Sequence, residues 1–203
     1  MSLVVVIKDN NRIIFGADKQ LSIADICFHE AIKIWAQPTC PGLFTGVVGS
    51  LRIAQLLQYS DIITADIIDK TSDSLALDLI IMRLIPNLRM LLRNNGFLEE
   101  QSNTLQFSFI IAYKDRAFLI RSDFGIVEVN DYIAIGSSAN IANGILYISA
   151  DKDPFSRIAL SIAAVSKYSA YVDNKIDFLV TKSIDTDNSQ IINALNVLKT
   201  FGD

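Results

Sequence analysis

Hydrophobic and polar positions run along this chain in blocks, and the period changes from block to block. Residues 3–7 (Leu-Val-Val-Val-Ile) form an unbroken apolar run, which predicts a strand covered on both faces. Asp9, Asn10 and Asn11 predict a turn, because Asn and Asp tolerate the left-handed region. Residues 12–17 then read as the returning strand of a hairpin, and residues 32–36 and 42–48 as two further strands. The period next becomes helical. Ser50 is a candidate cap for a helix over 51–59. From Leu75 onward, Leu77, Ile80, Ile81, Leu84, Leu88, Leu91 and Leu92 recur at three- and four-residue steps, predicting one helix that ends at Asn94-Asn95-Gly96 and is kinked by Pro86. Strands return at Leu105–Ile111, where apolar and polar positions alternate, then at 117–121 and 131–135. Helices follow over 140–149 and from Asp153-Pro154, a cap followed by proline at the first helical position. A strand over 176–181 and a helix over 189–200 complete the pattern.

Strand blocks alternating with helix pairs predict an α+β fold. Its architecture is a four-layer αββα sandwich of two mainly antiparallel sheets between helix pairs, in a single domain spanning 1–203. No linker, repeat or low-complexity segment interrupts the 203 residues. Composition narrows the function. Charged residues are only 20% of the chain and the mean hydropathy is +0.35, so a disordered chain is excluded and apolar surface between subunits is expected. A net charge of −4 gives no electrostatic case for nucleic acid. Two separated cysteines and one histidine, His29, supply neither a disulfide framework nor a zinc ligand set, so no metal or cofactor is expected. No apolar run is long enough to span a membrane, and no signal peptide is read at the start. A reduced cytoplasmic location is the expectation.

Several short motifs, in order, resemble the proteasome β-subunit family, including the HslV-type peptidases, which belong to the N-terminal nucleophile (Ntn) hydrolases. They are the opening Ser2-Leu3-Val4-Val5-Val6-Ile7, then Ile13-Ile14-Phe15-Gly16-Ala17-Asp18, Lys33-Ile34-Trp35 and Gly46-Val47-Val48-Gly49-Ser50. Ile133-Ala134-Ile135-Gly136-Ser137-Ser138 is the nearest match, and Ile176-Asp177-Phe178-Leu179-Val180 looks like the late strand. The resemblance covers nearly the whole chain and implies the Ntn fold just described.

Ser2 is the position the chemistry needs first. Removal of Met1 would give Ser2 a free α-amine beside its own hydroxyl, so that nucleophile and base reside in one residue. By resemblance, Lys33 is the lysine whose charge lies beside the nucleophile, Asp18 is the acid that holds it, and Gly46 supplies a backbone N–H to the oxyanion. Ser137 is the serine near the N-terminal amine, with a helix cap as its ordinary alternative. Ser22 would bind substrate backbone, and Phe44 and Val48 would line an apolar side-chain pocket. His29 has no place in this mechanism and is expected to hydrogen-bond in the loop before Lys33.

The chain also departs from the family. Serine replaces threonine at position 2, Leu3 replaces the second threonine, and Ser169 and Val172 stand where family members often carry Asp and Ser. Gln20 stands where a basic residue is common. The function implied is a serine version of the threonine-type Ntn endopeptidase, cutting polypeptides inside a homo-oligomeric ring. An ATP-dependent unfoldase would be a separate chain, since no P-loop is present. The alternatives are a catalytically inactive structural subunit, which retention of Met1 would favour, and an Ntn amidase or transpeptidase with the same acyl-enzyme chemistry.

Overall fold

The computed structural model describes residues 2–23, 26–98 and 107–200. Strands β1 (Leu3–Asp9) and β2 (Arg12–Asp18) form the first hairpin, turning through Asn10 at φ +53°. A second, small hairpin follows, β3 (Leu21–Ile23) and β4 (Ile26–Phe28), then β5 (Ile34–Ala36) and β6 (Leu43–Gly49). Helix α1 (Leu51–Tyr59) starts at Ser50, whose hydroxyl accepts the Ile53 N–H. The two-residue strands β7 (Ile68–Asp69) and β8 (Ser74–Leu75) precede α2 (Leu77–Leu79), a π turn (Ile80–Leu84) and α3 (Ile85–Asn94). Four strands come next: β9 (Phe107–Tyr113), β10 (Arg116–Ile120), β11 (Ile126–Glu128) and β12 (Tyr132–Gly136). The chain continues through α4 (Ala139–Ile148), α5 (Pro154–Tyr168), β13 (Ile176–Val180) and α6 (Asp187–Thr200). Asp153 caps α5 by accepting the Ser156 N–H at 3.1 Å.

Two antiparallel sheets carry the fold. One has the order β12-β1-β2-β13 and the other β11-β10-β9-β6-β5. The apolar run of β1 is explained by its two partners. Leu3, Val5 and Ile7 face α4 and α5, with Phe155, Ile158 and Ile162, while Val4 and Val6 face the other sheet, with Phe15 and Ile110. A third apolar layer joins the second sheet to α1 and α3, through Val47, Phe109 and Phe118 against Ile53, Leu57, Leu88 and Leu92. The result is the helix–sheet–sheet–helix sandwich that the pattern predicts. Gly16 lets α5 lie close on β2: a Cβ there would come within 2.2 Å of Ile158 Cγ2.

Several details differ from the pattern. The single kinked helix is three segments, because Pro86 has no N–H to donate and its ring crowds the preceding turn; the chain widens into the π turn directly ahead of it. The β3–β4 hairpin, β7, β8 and β11 carry no strand signal of their own. The expected strand beginning at Leu105 starts at Phe107 among the described residues, and Leu105 lies outside them.

Candidate active site

The sheet order gathers the ends of distant segments. Ser2 precedes β1, Asp18 ends β2 and Ser137 follows β12, and these three strands are neighbours. Lys33 comes from the second sheet, just ahead of β5. The peptide group joining Ser2 to Leu3 is held at both edges. The Ser2 carbonyl accepts the Ser137 N–H at 2.8 Å, and the Leu3 N–H donates to Asp18 Oδ1 at 2.8 Å. Because a peptide group is planar, these two bonds fix the orientation of the backbone that carries the Ser2 hydroxyl.

Asp18 is fully buried and Lys33 nearly so. Lys33 Nζ lies 2.7 Å from the same Oδ1 that receives the Leu3 N–H, and Asp18 Oδ2 accepts the Gln20 N–H at 3.1 Å. The lysine contact is one of charge: the ammonium has no well-aligned hydrogen-bond partner among the described residues. Burial pushes the Asp18 carboxyl up, against the pull of Lys33 and of the two backbone N–H groups. Burial also pushes the Lys33 ammonium below the usual lysine range, against Asp18 and, from farther away, Asp173 and Asp177.

Ser2 and Lys33 line one slot with Leu21, Ala31, Ile32 and Val48 on its walls, and Gly49 and Ser50 at the start of α1. Its volume is about 30 Å³, room for about one water. Of the residues expected at the site, Ser2, Lys33 and Val48 line the slot, and Asp18 and Ser137 join them through Lys33 and the Ser2–Leu3 backbone. Ser137 is not the cap of α4; Ser138 occupies that position at φ +55° without a side-chain cap bond.

Gly46 and Phe44 are elsewhere, and this corrects the expectation for both. The Val47 N–H donates to Lys33 O, on the β5 side of the strand. In an antiparallel ladder successive N–H groups face opposite edges, so the Gly46 N–H faces β9, opposite Ile110. A Cβ on Gly46 would touch Val4, Ile34 and Phe15 between the sheets. The same alternation turns the Gly49 N–H to the slot side, beyond the end of β5. Phe44 packs between the sheets near Ala112 and does not line the slot. Ser22 also lies off it: its hydroxyl accepts from Gln20 Nε2 at 3.0 Å, and its β3 neighbour Leu21 reaches the slot instead.

Gln20 and Gly136 act as supports, a role the sequence motifs do not assign to them. Gln20 holds Asp18 through its own N–H and ties β3 to the Ala170 carbonyl at 2.7 Å through its side chain. Gly136, at φ +105°, lies so close to Ser2 that a Cβ would sit 2.0 Å from the Ser2 carbonyl oxygen. Gly136→Ala is expected to lower stability by about 1–3 kcal/mol and to shift Ser2. Urea unfolding measures the first effect; any peptidase activity of the parent would fall with the second. His29 bonds Asp173 Oδ2 at 2.9 Å, outside the slot. No cluster of three or more His, Cys, Asp or Glu among the described residues is placed to hold a metal ion. No described helix is long and apolar enough to cross a membrane.

No protein-family model and no curated protein sequence matches the chain. Solved structures do. BPH of Thiobacillus denitrificans superposes with a TM-score of 0.69 at 16% identity, over 88% of this chain and 96% of that one. HslV of Trypanosoma brucei gives 0.60 at 14% identity, over 88% and 98%. This chain has the proteasome-type Ntn fold. Anbu of Hyphomicrobium sp. strain MC1 extends the likeness to 98% of this chain and 94% of that one, at a TM-score of 0.60 and 17% identity. The proteasome-type fold is therefore kept over nearly the full length, at identities that carry the fold and not the activity.

Proposed function

We propose that the protein is a proteasome-like Ntn peptidase with Ser2 as its nucleophile. The observation that carries this reading is Asp18 Oδ1, shared between the Leu3 N–H and the buried Lys33 ammonium beside Ser2. Once Met1 is removed, the Ser2 α-amine takes the hydroxyl proton, directly or through a water in the slot. The Lys33 charge favours the alkoxide and keeps the amine neutral. The hydroxyl oxygen attacks the scissile carbonyl, and the Gly49 N–H, in the role expected of Gly46, is the donor suited to the oxyanion. The amine returns its proton to the leaving nitrogen, and water then hydrolyses the Ser2 ester. The apolar walls of the slot favour an apolar side chain before the cut.

An oligomeric ring, a polypeptide substrate, a single domain, a cytoplasmic location and an unfoldase on another chain belong to the same reading. Exposed Ile81, Met82 and Met90 on the outer helices support burial between subunits. The slot holds only about one water, which is the observation favouring the alternative, an inactive structural subunit.

Intact-mass analysis paired with a peptide assay tests the proposal. Protein lacking Met1 is expected to hydrolyse apolar peptides, and protein retaining Met1 to be inert. Equal rates in the two forms, or no hydrolysis by the processed form, would reject it. The rate is also expected to be bell-shaped in pH. It rises as the Ser2 amine loses its proton. It falls as Lys33 loses its charge, at a pH below that of an ordinary lysine because burial lowers this one. A rate flat through the alkaline range would remove Lys33 from the mechanism.

A further inference from the structure

A second concavity, sharing no lining residue with the slot, lies on the outer helix layer. Two stretches of chain line it. Ile145, Ile148, Ser149 and Lys152 come from α4 and the turn after it, and Leu160, Ala163, Ala164 and Lys167 from α5. The α5 residues follow helical one-face spacing, and each stretch ends in a lysine. The small side chains of Ala163 and Ala164 keep the floor low, and the cleft encloses about 280 Å³, at the lower edge of the roughly 300–1,000 Å³ of small-molecule sites.

We propose that this cleft binds an aliphatic carboxylate of the fatty-acid kind. Its walls are hydrocarbon, and the one hydroxyl on them, Ser149, already donates to Ile145 O at 2.7 Å. An extended peptide laid along it would lose hydrogen bonds from its backbone to water and find none in return, whereas a hydrocarbon chain loses nothing. The charge of the rim selects the head group. Lys152 and Lys167 are both exposed, and neither has an ion-pair partner among the described residues. The acids nearest Lys152 in sequence, Asp151 and Asp153, do not line the cleft, and Asp153 is engaged as the cap of α5. The chain lies along the floor and the carboxylate meets an ammonium at the rim. This site is independent of the peptidase reading.

Calorimetric titration with decanoate, decanol and decylammonium tests it, with Lys152→Met, Lys167→Met and Ala164→Leu as variants. The expected result is saturable one-site binding of decanoate, with decanol weaker and decylammonium not bound. The lysine variant that removes the head-group contact weakens binding by about fivefold, the size of one exposed ion pair. Ala164→Leu fills the floor and abolishes binding. The lysine variants alter exposed side chains, so they report even where Ala164→Leu fails to fold. No saturable binding, equal binding of decanol, or decanoate affinity unchanged in both lysine variants would overturn the proposal. So would self-association that Ile148→Asp breaks and decanoate does not compete with, since a second copy would then occupy the cleft.

Discussion

Ser2→Ala, in protein freed of Met1, is expected to lower peptide hydrolysis by on the order of 10⁴-fold or more, because the substitution deletes the attacking atom while keeping the amine. The fold should not register the change. The contacts that fix residue 2 are made by its backbone: the carbonyl to Ser137, and the following N–H to Asp18. Alanine preserves both. The urea midpoint of the variant should therefore stay close to that of the parent, and the two measurements together separate chemistry from folding. Ser2→Thr restores the hydroxyl and adds a methyl that restricts χ1, so it is expected to recover activity. Residual activity in Ser2→Ala close to that of the parent would place the nucleophile elsewhere.

Lys33→Met has two expected effects with different origins. Hydrolysis is lost because no charge remains beside Ser2. Stability also falls, by about 3–5 kcal/mol, because Asp18 is left fully buried without its counter-charge. The sign of the pH dependence follows from that burial. With its pKa raised in the fold and Lys33 gone, Asp18 binds a proton in the native state that the unfolded chain releases. The variant is therefore most stable at acid pH and loses stability as pH rises from the ordinary carboxylate range to the raised value. Asp18→Asn in the same chain removes the orphaned charge. The double variant should regain much of the stability and none of the activity. Recovery of activity with stability would mean that Lys33 is structural only.

Whether a feature was legible in the sequence depends on what that feature requires. The strands β1, β2 and β6 were legible because burial on both faces leaves an apolar run no helix period explains. The caps Ser50 and Asp153 were legible because a side chain bonding its own helix start is a local event. Ser2, Asp18, Lys33 and Ser137 came from the resemblance; the structure brings Ser2, Asp18 and Ser137 to one end of adjoining strands and Lys33 to them from the second sheet. The β3–β4 hairpin was not legible: each strand has three residues, too few for a period to show, and Ile26 and Phe28 are exposed. The oxyanion donor was lost for a different reason. A motif can specify a glycine, but which edge its N–H faces is set by the ladder register, and one residue reverses it. Val47 bonding Lys33 turns Gly46 toward β9 and leaves Gly49 facing the slot. Close approach is equally silent in sequence, since nothing in the run around Gly136 says that the Ser2 carbonyl would occupy the place of its side chain.

One reagent reads the Ser2 hydroxyl and the Ser2 amine together. A peptide epoxyketone closes a ring only where a nucleophilic hydroxyl and a free amine belong to the same residue. Treated protein is digested and the adduct located by mass spectrometry. One adduct is expected, on Ser2 of chains lacking Met1, and none in Ser2→Ala. Processed chains that form no adduct and cleave no peptide, or an adduct on any other residue, would contradict it.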